Sequence, residues 1–138
     1  EVLLDHYRSP RNRGHLASAT GRAEGHNPLC GDRIAVEVEV AGERLQGVAF
    51  EGAGCAISTA SASLMTEAVA GRTPTEIAAL FEQFRKAVTG DPTADVEPLG
   101  KLAVLCGVKD FPMRVKCATL AWHTLLAALA GGGKVSTE

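Results

Sequence analysis

The sequence lacks a strong net charge, a long apolar run and a secretion signal. Its 14 Lys and Arg residues nearly balance 16 Asp and Glu residues, so the formal net charge is -2 at pH 7. This balance provides no basic surface for nucleic acid, and we expect no nucleic-acid partner. Because no apolar stretch is long enough to cross a bilayer and no signal-peptide pattern opens the chain, we expect a cytoplasmic protein without membrane contact.

Cysteine is also scarce, with four residues in a chain of 138. Four cysteines can form two disulfides in a secreted protein, but the chain is larger than a disulfide-dense mini-domain and shows no secretion signal. We therefore expect reduced thiols. The hydrophobic content of 46% and the absence of a linker predict a single domain over residues 1–133, followed by a flexible tail at 134–138.

The order of apolar residues predicts a helix, then strands, then helices. Apolar and polar residues alternate over residues 33–40, and a turn at Ala41-Gly42-Glu43 leads into a second strand over 44–50. This pattern is typical of an antiparallel hairpin, which an earlier strand near 20–26 extends to a small sheet. Helical spacing and a capping-box signature at Thr73-Pro74-Thr75-Glu76 predict the helices. The predicted helices span 1–7, 56–70, 73–88, 99–105 and a last one from near Pro112 or Arg114 to Gly131.

Three cysteines and one aspartate lie at the ends of these predicted elements. Cys30 and Asp32 share a loop before a strand, Cys55 opens a helix, and Cys117 is expected at the start of the last helix, beside Lys116. Helix N-termini and a neighbouring cation stabilise thiolates. Three sulfurs and one carboxylate suit a tetrahedral soft-metal site, with zinc as the default and iron–sulfur chemistry as the alternative. The single oxygen ligand is the one most easily displaced.

Each of these cysteines, taken singly, also fits burial as a small apolar residue. We expect that role for Cys106, which lies in an apolar run that ends at Gly107. A hydrolase that uses Cys55 as its nucleophile is a further alternative, but nothing in the spacing supplies a positioned base. His123 follows Trp122 on the last predicted helix, and we expect it to pack or to face solvent.

Several motifs make the sequence similar to a known family. It resembles the iron–sulfur cluster assembly proteins of the IscU/NifU N-terminal family over nearly the whole chain. The motifs are Gly25-His26-Asn27-Pro28-Leu29-Cys30-Gly31-Asp32, Gly52-Ala53-Gly54-Cys55-Ala56-Ile57-Ser58 and Lys116-Cys117-Ala118-Thr119-Leu120-Ala121-Trp122. Within the family it resembles the SufU branch, because Lys116 stands where the IscU type has histidine. The stretch 73–100 also looks like the extra segment of the SufU type.

The resemblance implies an α+β fold in which a three-stranded antiparallel sheet packs against helices on one face. It implies a metal site of Cys30, Asp32, Cys55 and Cys117 that holds zinc, with iron or a transient [2Fe–2S] cluster as the alternative. The implied partners are a cysteine desulfurase, which is a pyridoxal-phosphate enzyme, and downstream iron–sulfur assembly proteins. The implied role is that of a sulfur acceptor or, alternatively, a cluster scaffold, and not of an enzyme acting alone.

Two cysteines are the candidates for receiving sulfur. We expect Cys30 to accept persulfide first, because Gly31 gives its loop freedom to bend, with Cys117 as the second candidate. The mechanistic hypothesis is ligand exchange, in which a partner residue such as histidine takes a position on the metal and frees one cysteine as a nucleophile.

Overall fold

The sheet contains one more strand than the sequence predicts. The structure, a computed structural model, describes residues 2–136. Three strands pair antiparallel, and a fourth, β4, pairs parallel with β1, which gives the sheet order β3-β2-β1-β4. The strands are β1 (Gly21–Asn27), β2 (Asp32–Ala41), β3 (Arg44–Ala53) and β4 (Gly133–Ser136).

The predicted three-stranded antiparallel sheet is therefore corrected to a four-stranded mixed sheet. Residues 134–136, predicted as part of a flexible tail, belong to β4, whereas 137 and 138 lie outside the described residues, as does Glu1 of the first predicted helix. The chain turns back toward β1 through Gly131 and Gly132, whose φ angles are +119° and +106°. Residues with a side chain rarely adopt such backbone angles, so these glycines permit the turn that leads the chain back to β1. The sequence pattern did not predict this turn.

The predicted helices are present with small shifts at their ends. Helix α3 has the predicted capping box: the Thr73 hydroxyl accepts the Glu76 N–H, and the Glu76 side chain accepts the Thr73 N–H. The short predicted helix is a 3₁₀ segment that is interrupted at Gly100. The helices are α1 (Val2–Arg8), α2 (Ala56–Val69), α3 (Pro74–Thr89), the 3₁₀ segment (Glu97–Val108) and α4 (Pro112–Leu129).

Helix α4 packs against α3 on one side and against the sheet on the other. Trp122 on α4 is fully buried and stacks on Phe81 and Phe84 of α3, at ring-centroid distances of 5.6 and 5.2 Å. On the sheet side, Gly25 of β1 faces Thr124 so closely that a Cβ at this position would collide with it. Because α4 lies this close to β1, its N-terminal turns reach the loop that follows β1. No helix in the described part of the chain is long and apolar enough to span a membrane.

Candidate metal centre

The loop between β1 and β2 carries the first two predicted ligands. The backbone carbonyl of Asn27 accepts hydrogen bonds from the N–H groups of Cys30 and Gly31, at 3.2 and 2.9 Å. Gly31 has a φ of +74°, in the left-handed region, which agrees with the bend expected there. The bend leaves Cys30 exposed and buries Asp32, whose exposed fraction is 1%.

Cys55 is the N-cap residue of α2. Its sulfur accepts the Ser58 N–H at 3.4 Å, and its own N–H donates to Asp32 Oδ1 at 2.9 Å. A Cβ on Gly54 would lie 3.1 Å from the same Asp32 oxygen. The absence of a side chain at Gly54 therefore leaves room for the carboxylate to sit under the start of α2.

Cys117 differs from the expectation that it begins a helix. Helix α4 begins at Pro112, so Cys117 lies in its second turn, and its exposed fraction is 3%. Burial raises the pKa of the Cys117 thiol far above its usual range, and hydrogen bonds with Asp32, Cys30 and Cys55 raise it further. In the metal-free protein this thiol is therefore protonated, and a bound cation would be needed to favour the thiolate.

The structure brings three of the four predicted ligands, Cys30, Asp32 and Cys117, into one cluster, and Cys55 contacts this cluster through Asp32. The sulfurs of Cys30 and Cys117 are 3.4 Å apart, and Cys55 Sγ lies 3.7 Å from Asp32 Oδ2. Ligand atoms of Cys30, Asp32 and Cys117 all lie within 4.8 Å of one another. In a tetrahedral zinc site, two thiolates are about 3.8 Å apart, and a thiolate and a carboxylate oxygen about 3.5 Å. Both observed distances fall within a few tenths of an ångström of these values, so these two pairs of donors fit zinc in type and in spacing.

Cys106 stands apart from this group. It is half-buried in the 3₁₀ segment and packs against the hydrophobic core. Burial raises the pKa of its thiol, with a smaller opposing effect from Lys109. These properties agree with the predicted packing role.

The four histidines lie elsewhere in the fold. His6 is buried between α1 and α2, with its Nδ1 2.6 Å from the Ser63 hydroxyl. His123 meets the Phe81 ring edge-on at 5.0 Å, which agrees with the predicted packing. His15 and His26 line a groove of about 420 Å³ on the sheet, and the predicted ligands do not line it.

Residues 1–129 match the family described as the NifU-like N terminal domain. This chain belongs to that family. The resemblance to the IscU/NifU N-terminal family is thereby confirmed.

Individual relatives agree with the assignment. The chain is 39% identical over 130 residues to the protein named zinc-dependent sulfurtransferase SufU of Bacillus subtilis, covering 94% of this chain and 88% of that protein. It is 41% identical over 129 residues to the protein named iron-sulfur cluster assembly scaffold protein IscU of Thermotoga maritima, covering 94% and 90%. The crystal structure of a putative iron-sulfur cluster assembly scaffold protein for the SUF system from Fervidobacterium islandicum superposes with a TM-score of 0.88. It is 35% identical, and 94% of each chain is covered.

Asn27 lies beside the predicted ligands, and the sequence did not predict a role for it. Asn27 is fully buried at the end of β1, and its side-chain oxygen accepts the Leu29 N–H at 3.2 Å. The sequence held a signal for the turn, since Asn followed by Pro is typical of a chain reversal in which the Asn side chain bonds to the backbone two residues on.

Proposed function

We propose that this protein accepts sulfur from the persulfide of a cysteine desulfurase, a pyridoxal-phosphate enzyme, and relays it to iron–sulfur cluster assembly. Zinc would be held by Cys30, Asp32, Cys55 and Cys117. The observation that carries the proposal is the cluster of Cys30, Asp32 and Cys117, in which Cys30 is exposed and the Asp32 carboxylate contacts the Cys55 sulfur. The name of the Bacillus subtilis relative, a zinc-dependent sulfurtransferase, supports the same combination of metal and chemistry.

Zinc supplies the electrostatic stabilisation that keeps thiols deprotonated at neutral pH, which the buried Cys117 thiol in particular requires. The oxygen ligand, Asp32, is the donor least suited to a soft metal and the most readily exchanged. The proposed site therefore combines three strongly binding thiolate ligands with one carboxylate ligand that exchanges more readily.

Cys30 is the proposed acceptor. Its sulfur is exposed on a loop, whereas Cys117 is buried beneath it on α4. In the transfer, the Cys30 thiolate attacks the outer sulfur of the persulfide on the desulfurase. A new sulfur–sulfur bond forms at Cys30, the sulfur–sulfur bond on the desulfurase breaks, and the desulfurase cysteine leaves as a thiolate. The reaction moves one neutral sulfur atom and needs no external oxidant or reductant.

The surroundings of Cys30 suit a protein partner. Leu29, beside it, is 58% exposed. Phe111 and Met113 are 48% and 43% exposed at the start of α4, the helix whose Cys117 sulfur lies 3.4 Å from that of Cys30. Exposed apolar side chains close to a reactive group are typical of a surface that another protein covers. A desulfurase must cover this surface for its persulfide to reach Cys30.

The first test measures the zinc content of protein purified without oxygen, and then desulfurase activity with and without it. One zinc per chain together with faster sulfur release by the desulfurase supports the proposal. The acceptor is tested by persulfide transfer to Cys30→Ala and Cys117→Ala. Transfer at the wild-type rate to Cys30→Ala, but not to Cys117→Ala, would show that the acceptor assignment is wrong.

A scaffold that builds a [2Fe–2S] cluster on the same four ligands is the second candidate. It is favoured by the relatives named IscU scaffold proteins, one of which is 41% identical. Thiolate ligands with one carboxylate suit iron as well as zinc. A bound cluster in the purified protein, with little effect on the desulfurase, would favour this candidate over the zinc-dependent acceptor.

A further inference from the structure

Asn27 organises the loop that carries Cys30. It is the last residue of β1, and its backbone oxygen and side-chain oxygen together accept the N–H groups of Leu29, Cys30 and Gly31. In the hairpin it pairs directly with Asp32, the first residue of β2. Asn27 thus closes the loop through two hydrogen bonds to its backbone oxygen and one to its side-chain oxygen.

The nitrogen of the same side-chain amide has no acceptor. Asn27 is fully buried, and its Nδ2 has no hydrogen-bond partner within residues 2–136. Exchanging the amide oxygen and nitrogen does not help, because Nδ2 would then face the Leu29 N–H, donor against donor. A buried N–H without a partner is costly, and such a group calls for a physical explanation.

Asn27 pairs across the ladder with Asp32, which carries a carboxylate. Directly paired residues of an antiparallel ladder project to the same face, with Cβ atoms about 4.5–5.5 Å apart. Asp32 is also buried, and the Cys55 N–H donates to its Oδ1. A buried donor without an acceptor therefore lies beside a buried carboxylate that has capacity to accept more hydrogen bonds.

We propose that Asn27 is a positioning residue for the metal site. When Asp32 binds the metal, Asn27 Nδ2 donates to its carboxylate and holds it in the orientation for binding. This inference rests on the proposed function for the presence of a metal, but it concerns only residues of this chain. Hydrogen-bonding partners of metal-ligating carboxylates typically contribute about 10–100-fold in metal affinity.

Two substitutions separate this role from that of closing the loop. Asn27→Asp keeps a side-chain oxygen for the Leu29 N–H and, when zinc binding is measured at a pH high enough to ionise the new carboxyl group, lacks the donor, whereas Asn27→Ala removes both. Zinc dissociation constants, measured by competition with a chelator, are expected to rise about 10–100-fold in both variants. The negative charge of Asn27→Asp would by itself attract zinc, so weaker binding reports the lost donor. Wild-type zinc affinity in Asn27→Asp would overturn the inference, since Asp closes such a loop equally well.

A spectroscopic measurement on the wild-type protein does not depend on whether the variants fold. The NMR resonances of the Asn27 side-chain amide protons should shift when one equivalent of zinc is added. These protons should also exchange with solvent more slowly. Asn12, whose amide already donates to Thr66 at 3.0 Å, serves as the internal control and should not change. In Asp32→Ala the zinc-dependent shift at Asn27 should disappear.

The outcomes separate the two proposals. If wild-type protein binds zinc while the Asn27 amide protons stay unchanged, the positioning role is wrong and the proposed function stands. If wild-type protein binds no zinc at all, the zinc-dependent function and the role of Asn27 both fail.

Discussion

Substituting Gly54 by alanine should weaken zinc binding at the proposed metal site without removing any of the proposed ligands. The φ angle of Gly54 is outside the left-handed region, so alanine is compatible with its backbone. The added Cβ would lie 3.1 Å from Asp32 Oδ1 and 3.1 Å from the Ser58 hydroxyl. The hydroxyl can rotate away, but the Ser58 Cβ, at 3.2 Å, cannot, and the carboxylate is held by the Cys55 N–H at 2.9 Å. The distance between the carboxylate and the start of α2 therefore has to grow by a few tenths of an ångström.

The size of the effect follows from the cost of inserting one methyl group into a packed site. Overpacking typically costs about 1–3 kcal/mol, which corresponds to a loss of roughly 5–150-fold in zinc affinity if the metal-bound geometry bears the whole cost. Chelator competition measures this loss directly. Thermal unfolding of the metal-free and zinc-bound forms should show that zinc raises the midpoint less in the variant than in the wild type.

Gly107→Ala is the matched control for this prediction. Its φ angle also lies outside the left-handed region, and a Cβ there would meet no atom within 4 Å. Gly107→Ala should bind zinc like the wild type. Equal zinc affinity in Gly54→Ala and Gly107→Ala would refute the argument that Asp32 is held at a fixed distance from the start of α2.

Three further predictions concern other parts of the fold. Cys106→Ala should leave zinc content and persulfide acceptance unchanged, whereas Cys117→Ala should lose zinc; loss of zinc in both would place Cys106 in the site. Burial, with a smaller effect of Arg11, lowers the pKa of His6, so its contribution to stability is complete above about pH 6.5 and is lost as pH falls. In urea unfolding, lowering the pH from 7.5 to 5.5 should reduce the free energy of unfolding more in the wild type than in His6→Gln. Equal reductions in the two proteins would show that His6 is not the cause of the pH dependence. Truncation after Gly132 should lower the free energy of unfolding by on the order of 1 kcal/mol per ladder hydrogen bond lost, and an unchanged urea midpoint would show that β4 adds no stability.

The motifs around Cys30, Cys55 and Cys117 predicted the family, and most elements followed from periodicity. Two local features could not be predicted from the sequence pattern, namely strand β4 and the turn that precedes it. Strand β4 is short and lies at an edge, and the glycine-rich turn that returns it to β1 reads in a sequence like the start of a loose tail. A strand of four residues offers too little alternation to be recognised.

The environment of each site residue was harder to predict than its identity. Cys117 was expected at a helix start with an easily formed thiolate, but it lies in the second turn of α4 and is buried. The difference arises because α4 begins at Pro112 and lies close against β1, which only the packed structure determines. The buried amide of Asn27 was missed for the same reason, since burial and the lack of an acceptor depend on contacts between distant segments.

The 3.4 Å between the sulfurs of Cys30 and Cys117 also predicts that these two residues form a disulfide when the metal-free protein meets an oxidant. A disulfide requires the sulfurs to approach to about 2.05 Å, a movement that the loop of Cys30 can supply. Two-electron oxidation would then tie the loop after β1 to α4 and remove two of the four donors at once. Such a chain would keep its fold and lose its capacity for zinc until a reductant restored the thiols. In the proposed function, zinc would occupy both sulfurs, so zinc binding and formation of the disulfide would exclude each other.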